Sequence, residues 1–285
     1  MLLWVSRLLQ RARRASPAGP GSAEPVFEAA DAQWWWRRPR ESDSIDQLFW
    51  VDDAGPVGGV WLTTWDAGWQ CDPITVPGAP IDRAEVWERA LEQAGAHAPG
   101  TVTIPVGDGD DLYHELARAA DLTAASHDST GWLDAGSLPV VEPPPAGFTL
   151  VDRTMRPDRP HPMRQRNGDA VEERLRTCPL YDPELDLSVE AEEGEPAAYS
   201  LFWLDPTTKV GLVEPVRVDE TFWRRGLARA MLTEGLDRLA RKGAVRVKIS
   251  YGSEAAGTLY RRVGFRPTSR PTWYERRPLA SASRH

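Results

Sequence analysis

Between Val213 and Ala230 the sequence places an extended apolar run, a polar turn at Asp219 to Arg225 and a helix opening at Gly226. The first N–H groups of a helix lack partners and carry partial positive charge, so they bind phosphate well. Gly226 and Ala228 are too small to hold a pyrophosphate away from that backbone. Arg224, Arg225 and Arg229 add charge. The competing reading of this segment alone is a helix-start glycine in a basic surface helix.

Charge distribution agrees with a polyanionic ligand. The chain carries a formal net charge of -8, yet 217–277 holds fifteen Lys or Arg against six Asp or Glu, a surplus of nine that leaves -17 on the remainder. An acidic remainder and the lack of a recognisable nucleic-acid module argue against nucleic acid. Cys71 and Cys178 are isolated, with neither metal spacing nor a disulfide framework, and His97, His114 and His127 have no ligand spacing, so no metal is expected. No apolar run reaches the roughly 20 residues of a membrane span, and cysteine usage fits a reducing, cytoplasmic location.

The elements that must position such a turn are legible. A length of 285 residues suggests two domains. Gln47 to Trp65 reads as a hairpin turning at Asp53 to Pro56, Ile81 to Gly95 and Leu112 to Ala120 as helices, and Thr101 to Val106 as a strand. After a Pro-rich linker the order recurs. Phe148 to Arg153 is a strand, Gly168 to Arg176 a helix, Leu185 to Glu192 and Pro196 to Leu204 a hairpin, and Val210 to Val218 a strand. Gly226 to Arg241 is a helix, Val245 to Ser250 a strand and Glu254 to Val263 a helix. Recurrence of hairpin, strand, helix, strand, helix points to a duplicated α+β fold. The expected organisation is an amphipathic segment and linker at 1–25, a first domain at 26–135, a linker at 136–147, a second domain at 148–277 and a tail at 278–285. The amphipathic start, with Leu2, Leu3, Trp4, Val5, Leu8 and Leu9 before Arg11, Arg13 and Arg14, reads as a docking element for another surface or a frayed terminus.

Trp223-Arg224-Arg225-Gly226-Leu227-Ala228 resembles the Gln/Arg-x-x-Gly-x-Gly/Ala coenzyme A signature of the GNAT superfamily of N-acetyltransferases. Ser253 to Phe265, with Ala256, Leu259, Tyr260, Gly264 and Phe265, is similar to that family's Asn-x-x-Ala-x-x-Leu-Tyr-x-x-x-Gly-Phe segment. The tandem order resembles the two-domain mycothiol synthases. This resemblance implies two tandem GNAT-like domains, each a mixed, mostly antiparallel sheet flanked by helices. It also implies acetyl-CoA as cosubstrate, held by Arg224, Arg225, Gly226, Leu227, Ala228 and Arg229 with Val216, Val218 and Ser253. Trp223 stands where Gln or Arg is common and Ser253 where Asn is common; neither removes the backbone cradle. The first domain is expected to be degenerate, because Val76-Pro77-Gly78-Ala79-Pro80 offers no such signature and two prolines remove donors.

The same resemblance implies catalytic roles. Glu214, on the fourth strand of the fold, would take a proton from the acceptor ammonium, its alternative being an ion pair with a neighbour such as Arg217. Tyr260 would protonate the departing thiolate, its alternative being packing against the sheet. Backbone N–H groups of 213–216 would polarise the acyl carbonyl, although Pro215 offers none. His161, Asn167 and Tyr181 are candidates to line the acceptor pocket, and the acidic remainder weakly favours a cationic acceptor. Trp34, Trp35 and Trp36 beside Arg37 and Arg38 would stack on a ligand or pack as cation–π pairs, and packing is the simpler reading. The function implied is transfer of an acetyl group to a primary amine of a small molecule or peptide in a ternary complex, with no Cys178 nucleophile. The alternative is a non-catalytic acyl-CoA-binding regulatory or interaction protein.

Overall fold

The protein is described by a computed structural model over residues 1–16, 25–127 and 129–276; most of the expected 1–25 linker and the 278–285 tail fall outside the described residues. Two units are present. Unit 1 takes 1–29, 39–128 and 269–285, and unit 2 takes 30–38 and 129–268.

Unit 1 contains α1 (Leu2–Ala15), β1 (Leu48–Asp52), β2 (Gly55–Trp65), β3 (Gly68–Thr75), α3 (Arg83–His97), β4 (Val102–Val106), α4 (Asp111–Ala119), β5 (Thr123–His127) and β13 (Thr272–Arg276). Its sheet runs β1-β2-β3-β4-β13-β5. Val86, Trp87, Ala90 and Ala94 recur at three- and four-residue spacing, so α3 lays one apolar stripe on Val60, Leu62, Cys71 and Ile104. β3 and β4 pair in parallel only at Trp69/Val102 and Gln70/Thr103, and then part.

α1 corrects the reading of the chain start. Val5, Leu8, Leu9 and Ala12 are buried, α1 packs on β2 and β3, and a Cβ on Gly59 would lie 2.9 Å from Leu8. Arg13 and Glu28 form a buried ion pair and Arg11 meets Asp52 at 2.7 Å. Leu2, Val5, Leu8 and Leu9 of the expected apolar set are spent inside unit 1, so this helix is not frayed, while Leu3 and Trp4 stay exposed.

Unit 2 contains α2 (Ala29–Trp35, apart from its first residue), β6 (Ser129–Asp134), β7 (Thr149–Asp152), α5 (Arg164–Asn167), α6 (Val171–Arg176), β8 (Asp186–Glu190), β9 (Pro196–Asp205), β10 (Val210–Val218), α7 (Leu227–Arg241), β11 (Arg246–Tyr251), α8 (Glu254–Val263) and β12 (Arg266–Ser269). Its sheet runs β12-β6-β11-β10-β9-β8-β7. Leu187, Phe202, Val213, Val247 and Ile249 face Leu232, Leu236, Leu239 and Val263. Gly235 permits the close approach of α7, since a Cβ there would sit 2.1 Å from the Phe202 ring. Side chains alternate across a sheet, so the residues between these face the opposite side, toward α2, α5 and α6.

Domain boundaries differ from the expected 26–135 and 148–277. β6 pairs with β11 in the unit 2 sheet, β13 pairs with β4 and β5 in the unit 1 sheet, and residues 30–38 belong to unit 2. Each sheet takes a strand from the other half of the sequence, and strand propensity alone carries no information on which sheet a strand joins. The segment 136–147 is no free linker, because Glu142 N donates to Thr233 Oγ1 at 3.0 Å on α7. The helix expected over 168–176 starts only at Val171, because Gly168, with φ +81°, ends a separate short helix at Arg164–Asn167. No helix among the described residues is long and apolar enough to cross a membrane.

Candidate active site

β10 supplies the geometry. It pairs in parallel with β11 only from Val210 to Val213, and its register against β9 shifts between Val213 and Val216. Past Val213 the strands therefore diverge with Glu214 at the bulge. Asp219 N donates to Ala197 O at 2.9 Å, so alternation turns the N–H groups of Val216 and Val218 away from β9 toward the open edge.

The following turn is built as an anion cradle. Asp219 caps it through Thr221 N at 3.0 Å, and both Arg224 (φ +61°) and Gly226 (φ +84°) adopt the left-handed region. Among the described residues the amides of 224–228 find no acceptor, since the first amides of the α7 ladder to do so are Arg229 N and Ala230 N, both bonding Gly226 O. Consecutive unused N–H groups in alternating conformation make a concave nest at a helix start, which fits a pyrophosphate. Arg225 lies beside the Phe222 ring at 5.5 Å. Arg229 pairs with Glu142 at 2.6 Å, an exposed pair of small net value that a phosphate can replace. Trp223, 58% exposed, sends its indole N–H to Val218 O at 3.0 Å and so braces the turn instead of reaching outward. Ser253 Oγ accepts from Ala256 N at 3.3 Å and caps α8, the part the commoner Asn would play.

Glu214 forms no ion pair with Arg217 or any other described residue. Its backbone O accepts from Trp203 Nε1 at 2.8 Å. Protein surrounds the carboxylate, and burial, reinforced by the Asp31 charge, raises its pKa to about 7; Arg37, Lys248 and the Trp34 indole pull the other way. Tyr260 on α8 is buried against Tyr251 and Phe265, and burial with the Glu214 charge pushes its phenol to about 12. The pair is thus a carboxylate that exchanges its proton near neutrality beside a phenol that stays protonated.

Other candidates are engaged differently. Tyr181 donates to Asp186 Oδ2 at 2.7 Å, and burial followed by that charge raises its pKa strongly. His161 Nε2 lies 2.7 Å from the same oxygen while its Nδ1 accepts from Met163 N, so His161 and Tyr181 brace β8. Tyr181 also packs edge-on against Trp203, which links it to the Glu214 backbone. Asn167 spends both ends of its amide, accepting from Arg37 Nε at 2.8 Å and donating to Met163 O at 3.2 Å. The polar atoms of Asn167 and Tyr181 are therefore already committed. Cys178 is held near 12 by burial and donates to Arg174 O and Gln33 O, which leaves no thiolate to act as a nucleophile.

The residues that sequence reading missed come largely from 30–38. Asp31 forms a buried ion pair with Lys248 at 2.8 Å, both nearly inaccessible at 4% and 2%. Arg37 lies 3.7 Å over Trp34, and Arg174 lies 3.8 Å over Trp36 while bonding the carbonyls of Trp36 and Arg38. The tryptophans thus pack as cation–π pairs. One signal was available: Lys248 interrupts the apolar run Val247 to Ile249, and a lysine there needs a buried partner.

A sheet that splays after Val213, a free amide nest at the next helix and a two-unit α+β architecture define the tandem GNAT-type fold. Residues 150–265 match the model of the acetyltransferase (GNAT) family. The chain is 27% identical over 250 residues to a mycothiol acetyltransferase of Clavibacter michiganensis subsp. michiganensis (strain NCPPB 382), covering 79% of this chain and 78% of that protein. Its fold is similar to that of a tandem GNAT protein from the clavulanic acid biosynthesis pathway, with a TM-score of 0.65, 17% identity and coverage of 98% and 95% of the two chains. It is also similar to an acetyltransferase from the GNAT family of Colwellia psychrerythraea, with a TM-score of 0.60, 15% identity and coverage of 96% and 97%.

Proposed function

We propose that unit 2 is an N-acetyltransferase that moves an acetyl group from acetyl-CoA to a primary amine by direct transfer. The observation that carries this reading is the placement of Glu214, with a pKa of about 7, where β10 parts from β11, one turn upstream of the unused amides of 224–228. Acetyl-CoA would supply a thioester as acyl donor. The residues suited to hold its pyrophosphate are Arg224, Arg225, Gly226, Leu227 and Ala228, with Arg229 nearby, while the open amides of Val216 and Val218 suit the arm leading to the thioester.

Glu214 accepts a proton from the acceptor ammonium. The freed amine lone pair then forms the new C–N bond as the C–S bond breaks, the Tyr260 phenol passes its proton to the departing sulfur, and the second proton shed by the amide nitrogen returns through water to the Tyr260 phenolate. A backbone N–H at the open edge of β10 polarises the carbonyl; Pro215 contributes none. The Asp31–Lys248 pair fixes α2 beside Glu214, and Asp31 helps to keep the base near neutrality. The named relative, a mycothiol acetyltransferase, gives an acetyl-transfer precedent and leaves the acceptor of this chain open.

The test is calorimetric titration with acetyl-CoA followed by thiol release over an amine panel. One site per chain and thiol release dependent on Glu214 support the reading. Binding without turnover on any amine would favour an acyl-CoA-binding regulatory protein.

A further inference from the structure

The sheet face that carries Glu214 also carries a group of arginines around Tyr199. Arg217 lies three residues beyond Glu214 on β10 and directly opposite Tyr199 in the β9 ladder. Arg166 sits in α5 beside Asn167, whose side chain holds Arg37. Burial raises the Tyr199 phenol, and Arg217, Arg166 and Arg37 oppose that rise, so all three guanidiniums bear on one hydroxyl. Arg217 also acts on Tyr260, and Arg37 on Glu214.

Several arginines of unit 2 are matched with carboxylates: Arg153 with Glu172, Arg156 and Arg159 with Glu190, and Arg238 with Asp152. Arg166 and Arg217 form no ion pair and no side-chain hydrogen bond among the described residues. The acids that face them are Glu214 itself and Asp219, which is held by the Thr221 N–H and hydroxyl at the far end of β10. Two exposed guanidiniums with no ion pair among the described residues, next to a candidate base in a chain of net negative charge, are positioned for an anionic group of the acceptor.

We propose that the acceptor is a carboxylate-bearing amine of the amino-acid type, its amine at Glu214 and its carboxylate on Arg166 and Arg217 with the Tyr199 hydroxyl donating to it. This rests on the reading of Glu214 as the base. A zwitterion reconciles the two local charges, because the ammonium faces Glu214 while the carboxylate faces the arginines. Arg37, anchored to Asn167 Oδ1 and to Trp34 O at 3.0 Å, is a positioning residue that sets the edge of the subsite.

The experiment compares matched pairs, phenylalanine with phenethylamine and lysine with cadaverine, on the full chain with saturating acetyl-CoA. Thiol release gives kcat and KM, and ligand-observed NMR reads acceptor binding separately. The wild type should favour the carboxylated member of at least one pair by about tenfold or more, as expected for charge-assisted hydrogen bonds. Arg217→Ala should abolish that preference through KM with kcat nearly unchanged, Arg217→Lys should restore part of it, and acetyl-CoA affinity should not move. Equal or better binding of the decarboxylated amines, no binding of any carboxylated member, or an unchanged preference in Arg217→Ala would overturn the subsite. Preferential binding of the carboxylated member without acetylation would uphold it and sink only the catalytic reading.

Discussion

Unit 1 and unit 2 each place a carboxyl just past the point where a parallel strand pair separates, the buried Asp72 after Gln70/Thr103 and the half-buried Glu214 after Val213/Ile249. Burial raises both, Asp72 to about 8 and Glu214 to about 7. The surroundings diverge. Glu214 lies within reach of Asp31, Arg37 and Lys248, whereas Asp72 is met by the Gln70 amide at 2.9 and 3.0 Å and lines a cavity of about 490 Å³ partly closed by Leu9 and Ala12 of α1. The turns that follow diverge further. After β10 the amides of 224–228 are unused, but after β3 Val76 N bonds Val57 O, Ala79 N bonds Val76 O and Ile81 N bonds Ala79 O, and Pro77 and Pro80 have no N–H. A duplicated backbone preserves the strand parting and its carboxyl, while phosphate capacity depends on which amides the turn itself consumes.

The largest test of this contrast compares the two carboxyls. Glu214→Gln should lower kcat by about 10²- to 10⁴-fold with acetyl-CoA affinity retained, and Asp72→Asn should leave turnover intact. Equal losses in steady-state kinetics would erase the distinction. Next, Arg225→Glu with Gly226→Glu should weaken acetyl-CoA binding by about a hundredfold or more, because several charge-assisted hydrogen bonds vanish together. Calorimetry should find one site before and none after; a site surviving in unit 1 would break the comparison.

Smaller effects sharpen it. For the free enzyme, kcat/KM should rise by about tenfold per pH unit up to about pH 7 and then level, since the base works deprotonated, and Glu214→Gln should lose that limb. Tyr260→Phe should reduce kcat by about tenfold, with a smaller deficit for donors whose thiolate leaves more readily. The smallest change is in stability. The folded Asp72 carboxyl holds its proton up to about pH 8 against an ordinary value near 3.8, so the native state binds the extra proton in that window and stability falls as pH rises through it. The melting temperature of Asp72→Asn relative to wild type should therefore rise steadily between pH 4 and pH 8 and level by pH 9, as followed by circular dichroism.

Much of this was legible in order along the chain. The β10 strand, the Gly226 helix start and the Glu254–Val263 helix come from local rules, because period, capping and positive-φ glycine are short-range properties. α2 and β3 were missed. Three of the seven α2 residues are alanine and its tryptophans fit several conformations, while Pro73 interrupts the alternation of β3. The assignment of β6 and β13 to the sheets was beyond local reading, because either sheet offers an equivalent edge to an apolar strand.

By itself the sequence determined a duplicated α+β chain, a phosphate-ready turn in its second half and the positions of Glu214 and Tyr260, all carried by residues adjacent in the chain. Tertiary structure alone decided that Asp31, Trp34 and Arg37, roughly 180 residues from Glu214, stand beside it, that Asn167 holds Arg37, and that α1 closes over Asp72. The physical reason is that proton affinity and anion affinity depend on which charges and dipoles converge at a point in a low-dielectric interior, and chain separation says nothing about that convergence.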